Sequence, residues 1–189
     1  MPKLVQGVVR RPLIGLVILC VAVPLLRDAL VWEREGSGPA IAAVAYLGLL
    51  VASFNTLRIG GISAAEAGVR SVTWRSLVLG IVAGIFVIAP VWRLPHVSFF
   101  NAGWLLVAVI VEEVAFRGVL FALLRRAGGL PLAIGGSAAT FTLAHAASGW
   151  PALLLVAIAG VYLGILRGIR GDLWACGIAH LLMDLVSLT

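Results

Sequence analysis

Apolar stretches dominate this chain, and short clusters of Gly, Pro and charged residues separate them. Seven stretches predict helices: Leu13–Trp32, Pro39–Leu57, Trp74–Trp92, Ala102–Leu124, Pro131–Ala147, Pro151–Leu166 and Leu173–Leu188. A helix that crosses a bilayer takes about 20 mostly apolar residues. The sixth and seventh stretches are short, which predicts tilt or a locally thin bilayer. Ile62–Ser71 is too polar to span. It predicts an interfacial helix, with Ser63 and Glu66 spaced as a capping box. The expected fold class is therefore all-α: a polytopic membrane helical bundle of about seven transmembrane helices, in one domain over residues 1–189.

Composition sharpens this picture. The 189 residues are 62% hydrophobic and 12% charged, against about 45–50% and about 25% in soluble domains. The net charge of +6 does not point to nucleic acid, because the basic residues fall in short loops between apolar runs. With the N-terminus inside, Lys3, Arg10, Arg11, Arg58, Arg70, Arg75, Arg125, Arg126, Arg167 and Arg170 are inner. Arg27, Arg34 and Arg93 are outer, beside Asp28, Glu33 and Glu35. That asymmetry predicts a cytoplasmic N-terminus and, after seven spans, an outer C-terminus. Lys3, Arg10 and Arg11 before an apolar run look like a signal peptide. No A-x-A site follows and further spans do, so a retained first helix is expected. Cys20 and Cys176 both lie in apolar runs and imply no disulfide framework. Gly80/Gly84 and Gly160/Gly164 are small-xxx-small pairs that let helix backbones approach closely.

Charge inside these runs is the chemical signal, since an ionisable group in hydrocarbon is costly and marks a functional site. Glu112 and Glu113 sit within the fourth run, four residues before Arg117. Glu113 and Arg117 share a helix face and can pair, which leaves Glu112 as the odd carboxylate and a candidate general base. His145 ends the fifth run. Cys176, His180 and Asp184 follow at steps of four on the last, so they share one stripe. His180 and Asp184 are expected to hydrogen-bond and fix the imidazole tautomer. His96, near Pro95 in an outer loop, reads as a surface residue.

Three chemistries fit these residues. Glu112 and His145 can activate a water while His180 with Asp184 stabilises an oxyanion. Two histidines and a glutamate can bind zinc, an alternative not favoured because no H-E-x-x-H is present; the expectation is no cofactor. Cys176 can act as nucleophile with His180 as base, against its bland reading as buried filler.

The order Glu112-Glu113…Arg117, Phe141…His145 and His180…Asp184 resembles the EExxxR, FxxxH and HxxxN/D motifs of the CAAX-protease and bacteriocin-processing (CPBP, or ABI) family of intramembrane proteases. Phe116-Arg117-Gly118 and the Leu173-Trp174-Ala175 lead-in are similar to it as well. The likeness covers roughly residues 102–189; before that, only the membrane helices are shared. The resemblance implies a glutamic-type peptidase in which Glu112 and His145 activate water, His180 and Asp184 form the oxyanion site, and Glu113 and Arg117 support them. Asp184 departs from the Asn of many members. An ionised Asp cannot donate to an oxyanion, so Asp184 is expected to orient His180, which alone donates.

The family includes prenyl-tail CAAX proteases, bacteriocin-related enzymes and myxosortase-type enzymes acting on C-terminal sorting signals. The topology above turns the site toward the outer side. That favours the tail or transmembrane signal of an exported or membrane-associated protein as substrate. The expected partners are membrane lipid and such a polypeptide, and the expected place is the plasma (inner) membrane. The competing functions are a non-catalytic immunity or scaffold protein and a proton-coupled transporter.

Overall fold

A computed structural model describes residues 14–22, 24, 38–88 and 99–187. Lys3, Arg10, Arg11, the predicted outer-loop charges and His96 lie outside the described residues. Among the described residues every regular element is helical. Helix α1 covers residues 14–22, α2 Gly38–Gly60, α3 Trp74–Ile88 and α4 Phe99–Glu112. A π-helical segment, Glu113–Leu120, continues α4 directly into α5, Phe121–Ala144. A 3₁₀ turn, Ala146–Ser148, then leads to α6, Trp150–Arg170, and α7, Trp174–Ser187.

The helices follow the apolar runs with informative differences. Non-helical backbone at Gly128 and Gly129 breaks α5 into two rods. Gly129 has φ +80°, a left-handed value that glycine adopts without a Cβ clash, and Pro131 then suits the first turn of the second rod. The fourth predicted stretch is thus α4, the π segment and the start of α5; the fifth is the rest of α5. The sixth stretch is not short, because α6 runs 21 residues from Trp150 to Arg170. It stops at Gly171 (φ +73°), whose N–H caps the Arg167 carbonyl.

Two helices, Ala40–Gly60 and Trp150–Arg170, are individually long and apolar enough to cross a membrane. Only 17% and 28% of their most apolar windows are buried, so most of those side chains face outward. An apolar outer surface of that extent suits lipid rather than water.

The expected interfacial helix at residues 62–71 does not form. Ser63 and Glu66 do make the capping-box bonds: the Ser63 N–H donates to Glu66 Oε2 (2.9 Å) and the Glu66 N–H to Ser63 Oγ (3.3 Å). The turn they start ends at Gly68, φ +81°. Its carbonyls then bond elsewhere: Arg167 Nη2 donates to Glu66 O (2.7 Å) and the Leu173 N–H to Gly68 O (3.0 Å). Arg126 reaches the same loop, donating to Gly60 O at 2.7 Å and Glu66 Oε1 at 2.7 Å. The loop between α2 and α3, the α5 kink region and the α6–α7 turn therefore meet at one end of the bundle.

Two packed clusters hold the helices. One joins Leu16 and Cys20 of α1, Leu49 of α2, the π segment and the start of α5. The other joins α3, α6 and α7 around Ala83, Leu163, Cys176 and Ala179. Glycine makes the second contact close. A Cβ on Gly80 would stand 2.8 Å from Ala175 O, and one on Gly84 would stand 2.8 Å from Leu182 Cβ. Gly160 and Gly164 likewise face Ala138 and Ile134 of α5, at 3.3 Å.

Candidate active site

The two adjacent glutamates stand where α4 passes into the π segment. A π turn carries i→i−5 bonds, seen here where the Phe121 N–H reaches Phe116 O. Such turns are rare and concentrate at functional sites. Across this junction the carboxylates turn to different helices. Glu112 faces α2, where Tyr46 Oη donates to Glu112 Oε1 at 3.1 Å. Glu113 faces α7, where it meets His180 Nδ1 at 2.8 Å through Oε1.

Buried charge on Glu113 is balanced by Arg117, whose Nη1 is 3.3 Å from the same Oε1. Both side chains are buried. The four-residue spacing predicted this pair. Arg117 Cζ also lies 4.0 Å from the centroid of the Phe141 ring, a cation–π contact in a desolvated setting. The π segment is fastened from outside by Arg167, whose Nε donates to Arg117 O at 2.9 Å while Nη2 holds Glu66 O. Gly68 makes room for that guanidinium, since a Cβ there would stand 2.8 Å from Cζ.

His180 is set differently from the sequence expectation. A carboxylate paired with Arg117 only accepts, so Nδ1–H donates to Glu113, and Glu113 fixes the ring. Asp184 Oδ2 stands 3.6 Å from Nε2, too far for a direct hydrogen bond. The direct hydrogen bond expected from Asp184 is thus made by Glu113 at the other ring nitrogen, because the π turn swings that carboxylate onto α7. Nε2 is left facing two carboxylates, with Glu112 Oε2 3.9 Å away.

His145 joins the group through Phe141. The last turn of α5 tightens, with the His145 N–H bonding Thr142 O (3.0 Å). The ring Nδ1–H then donates to the Phe141 carbonyl at 2.9 Å. A carbonyl only accepts, so a neutral His145 carries its lone pair on Nε2. The Phe141 ring lies 4.4 Å from the His145 ring and 5.6 Å from the His180 ring, centroid to centroid. One phenyl group therefore touches a side chain of each motif. His145 also lies within electrostatic reach of Asp184.

Six predicted residues, Glu112, Glu113, Arg117, His145, His180 and Asp184, come together. Cys176 does not join them: its thiol donates to the Leu163 carbonyl at 3.5 Å, on the α6 side. Among the described residues no three His, Cys, Asp or Glu side chains form a metal-holding group. Two residues escaped the sequence reading. Tyr46 is one of only two tyrosines, and its phenol in an apolar run was the available signal. Phe141 was visible in its motif but not as the shared packing ring.

Neither curated proteins nor solved structures include a match to the chain. Residues 94–186 match the family model Type II CAAX prenyl endopeptidase Rce1-like. That segment contains both glutamates, both site histidines, Arg117 and Asp184. Over that segment, about half of the chain, the match is to the Rce1-like CAAX endopeptidase family, whose members are membrane-embedded proteases.

Proposed function

We propose that the chain is a glutamic-type intramembrane endopeptidase that cuts the C-terminal tail of a membrane-associated or exported protein. The observation that carries this reading is the His180 ring. It is gripped by Glu113 at Nδ1 and open at Nε2 toward Glu112 and Asp184, deep within a helical bundle.

In the proposed step, a water lies between Glu112 and His145 Nε2. Glu112 takes one of its protons as the water oxygen bonds to the scissile carbonyl carbon. The carbonyl π pair moves to oxygen, and a proton on His180 Nε2 donates to that oxyanion. The C–N bond then breaks as the oxyanion collapses, and the proton held by Glu112 passes to the leaving amine. Asp184 is kept near Nε2 to balance charge on the ring; it does not donate. Glu113 and Arg117 act as supports. No step needs a metal or other cofactor.

We further propose that all seven helical segments cross the plasma (inner) membrane, with the N-terminus cytoplasmic. The basic ends of α2, α5 and α6 gather around the 61–73 loop, as an inner face requires. His145 ends the α5 rod remote from that face, which supports a site opening toward the outer half. A sorting-signal or transmembrane tail is then favoured over a cytosolic prenylated one.

The test compares cells carrying wild type or Glu112→Ala, with C-terminal peptides of membrane and exported proteins mapped by mass spectrometry. Tails trimmed only in the wild type are the expected result and name the substrate. Identical tails in both would leave a non-catalytic scaffold or a proton-coupled transporter.

A further inference from the structure

We propose that Tyr46 is a positioning residue for Glu112, and that α2 thereby belongs to the active site although it lies outside the motifs. The proposal rests on Glu112 as the base that activates water. Its warrant is geometric. Tyr46 Oη and Glu112 Oε1 are 3.1 Å apart, and both residues are buried. Beside an ionised carboxylate a phenol can only donate, so Tyr46 occupies one of the two carboxylate oxygens. The other, Oε2, is then turned toward His180 Nε2. A carboxylate free to rotate would divide its time between the orientations; one held at Oε1 presents Oε2 to the reacting side. Pre-organised geometry of that kind supports the rate of the chemical step rather than binding.

The surroundings of the phenol strengthen the contact. Its ring forms part of the wall of a cavity of about 610 Å³ between α2 and α4. The neighbouring walls are aliphatic and aromatic: Ala43, Leu47, Leu50, Trp104 and Val107. A hydrogen bond to a charged group is electrostatically stronger in such an environment than in water.

The test separates the hydroxyl from the ring. Y46F keeps the packing and removes only the donor. The full chain in detergent is assayed on a peptide with an apolar transmembrane-type C-terminal tail and a quenched fluorophore. The expected result is a kcat lower by about 10- to 100-fold, the range for losing a hydrogen bond to a charged group. KM stays at the wild-type value, and the thermal midpoint falls only by the small amount that losing one buried hydrogen bond requires. Unchanged kcat, or a loss confined to KM, overturns the proposal. A second readout does not depend on turnover: the infrared carboxylate band isolated by subtracting the Glu112→Gln spectrum. That band shifts in Y46F if Tyr46 donates to it; an unmoved band overturns the assignment. If the wild type leaves the peptide uncut, the transmembrane-tail substrate fails, and the infrared band still decides the role of Tyr46.

Discussion

Removing the Arg117 guanidinium tests whether buried charge balance holds the site together. In Arg117→Leu the shape is roughly kept, but Glu113 loses its partner at 3.3 Å. At an effective dielectric constant of about 20, two charges at that distance attract by about 5 kcal/mol. Breaking a buried pair by deleting one member costs about 3–5 kcal/mol, because the remaining charge stays uncompensated. The contact with the Phe141 ring face goes too, worth about 2 kcal/mol when desolvated. Against a total stability of about 5–15 kcal/mol, the variant should unfold at a markedly lower temperature in detergent. Cleavage should fall as well, because Glu113 Oε1 is also the acceptor that fixes His180. Arg117→Lys, which restores charge without the planar fork, should recover part of both. In the double variant with Glu113→Gln, the two losses should be far from additive, as expected for groups in contact. An Arg117→Leu protein with a wild-type unfolding midpoint and rate would refute the reasoning.

Other outcomes follow from single contacts. Cys176→Ala should retain most cleavage activity, since the thiol bonds Leu163 O on the α6 side; complete loss in a peptide assay would restore the thiol mechanism. Gly80→Ala should push α3 away from α7, because its Cβ would stand 2.8 Å from Ala175 O. An overpacked contact costs about 1–3 kcal/mol, readable as a lower thermal midpoint. Asp172→Ala should cost more than about 1 kcal/mol of stability, the loss for a cap alone, because Oδ1 accepts from the N–H groups of Trp174 (3.1 Å) and Ala175 (3.3 Å) while Oδ2 accepts from the buried Ser76 hydroxyl (2.8 Å); a wild-type thermal midpoint would contradict this. The Ser63 N–H, with Arg126 and the Ser63 hydroxyl, holds the Glu66 carboxyl down to about 2 from its ordinary 4.5. The folded value lies below the unfolded one, so the Glu66 contribution is full above pH 4.5 and fades as pH falls toward 2. Acid-unfolding curves of wild type and Glu66→Gln should therefore separate above that window and converge below it.

Much of the architecture was legible because hydrocarbon imposes simple demands on sequence. Apolar run length gave the helices, and the Gly80/Gly84 spacing marked α3 for a close helix contact without naming α7 as the partner. Cost did the same for chemistry, as Glu112, Glu113 and Arg117 have little reason to lie in an apolar run unless they are used. What stayed hidden depended on partners far along the chain. Residues 113–120 read as an ordinary α-helix, and nothing local announces a π turn. Arg167 was read as a loop cation on the inner side, whereas it is buried and clips the π segment to the 61–73 loop. The four-residue step from His180 to Asp184 gave the neighbour at Nε2, but not the nearer carboxylate at Nδ1, since Glu113 is 67 residues away. Tyr46 could not be linked to Glu112 across 66 residues.

Helices in lipid are not squeezed together by water, so their relative positions depend on packing and polar contacts. The Phe141 ring answers that problem at the scale of one side chain. Arg117, His145 and His180 come from three different stretches of chain, and each rests on the same small disc. The ring works like the seat of a three-legged stool. A shift of one helix at this ring is therefore felt by all three groups at once, so the volume of a single phenyl group sets how closely the three stretches can approach.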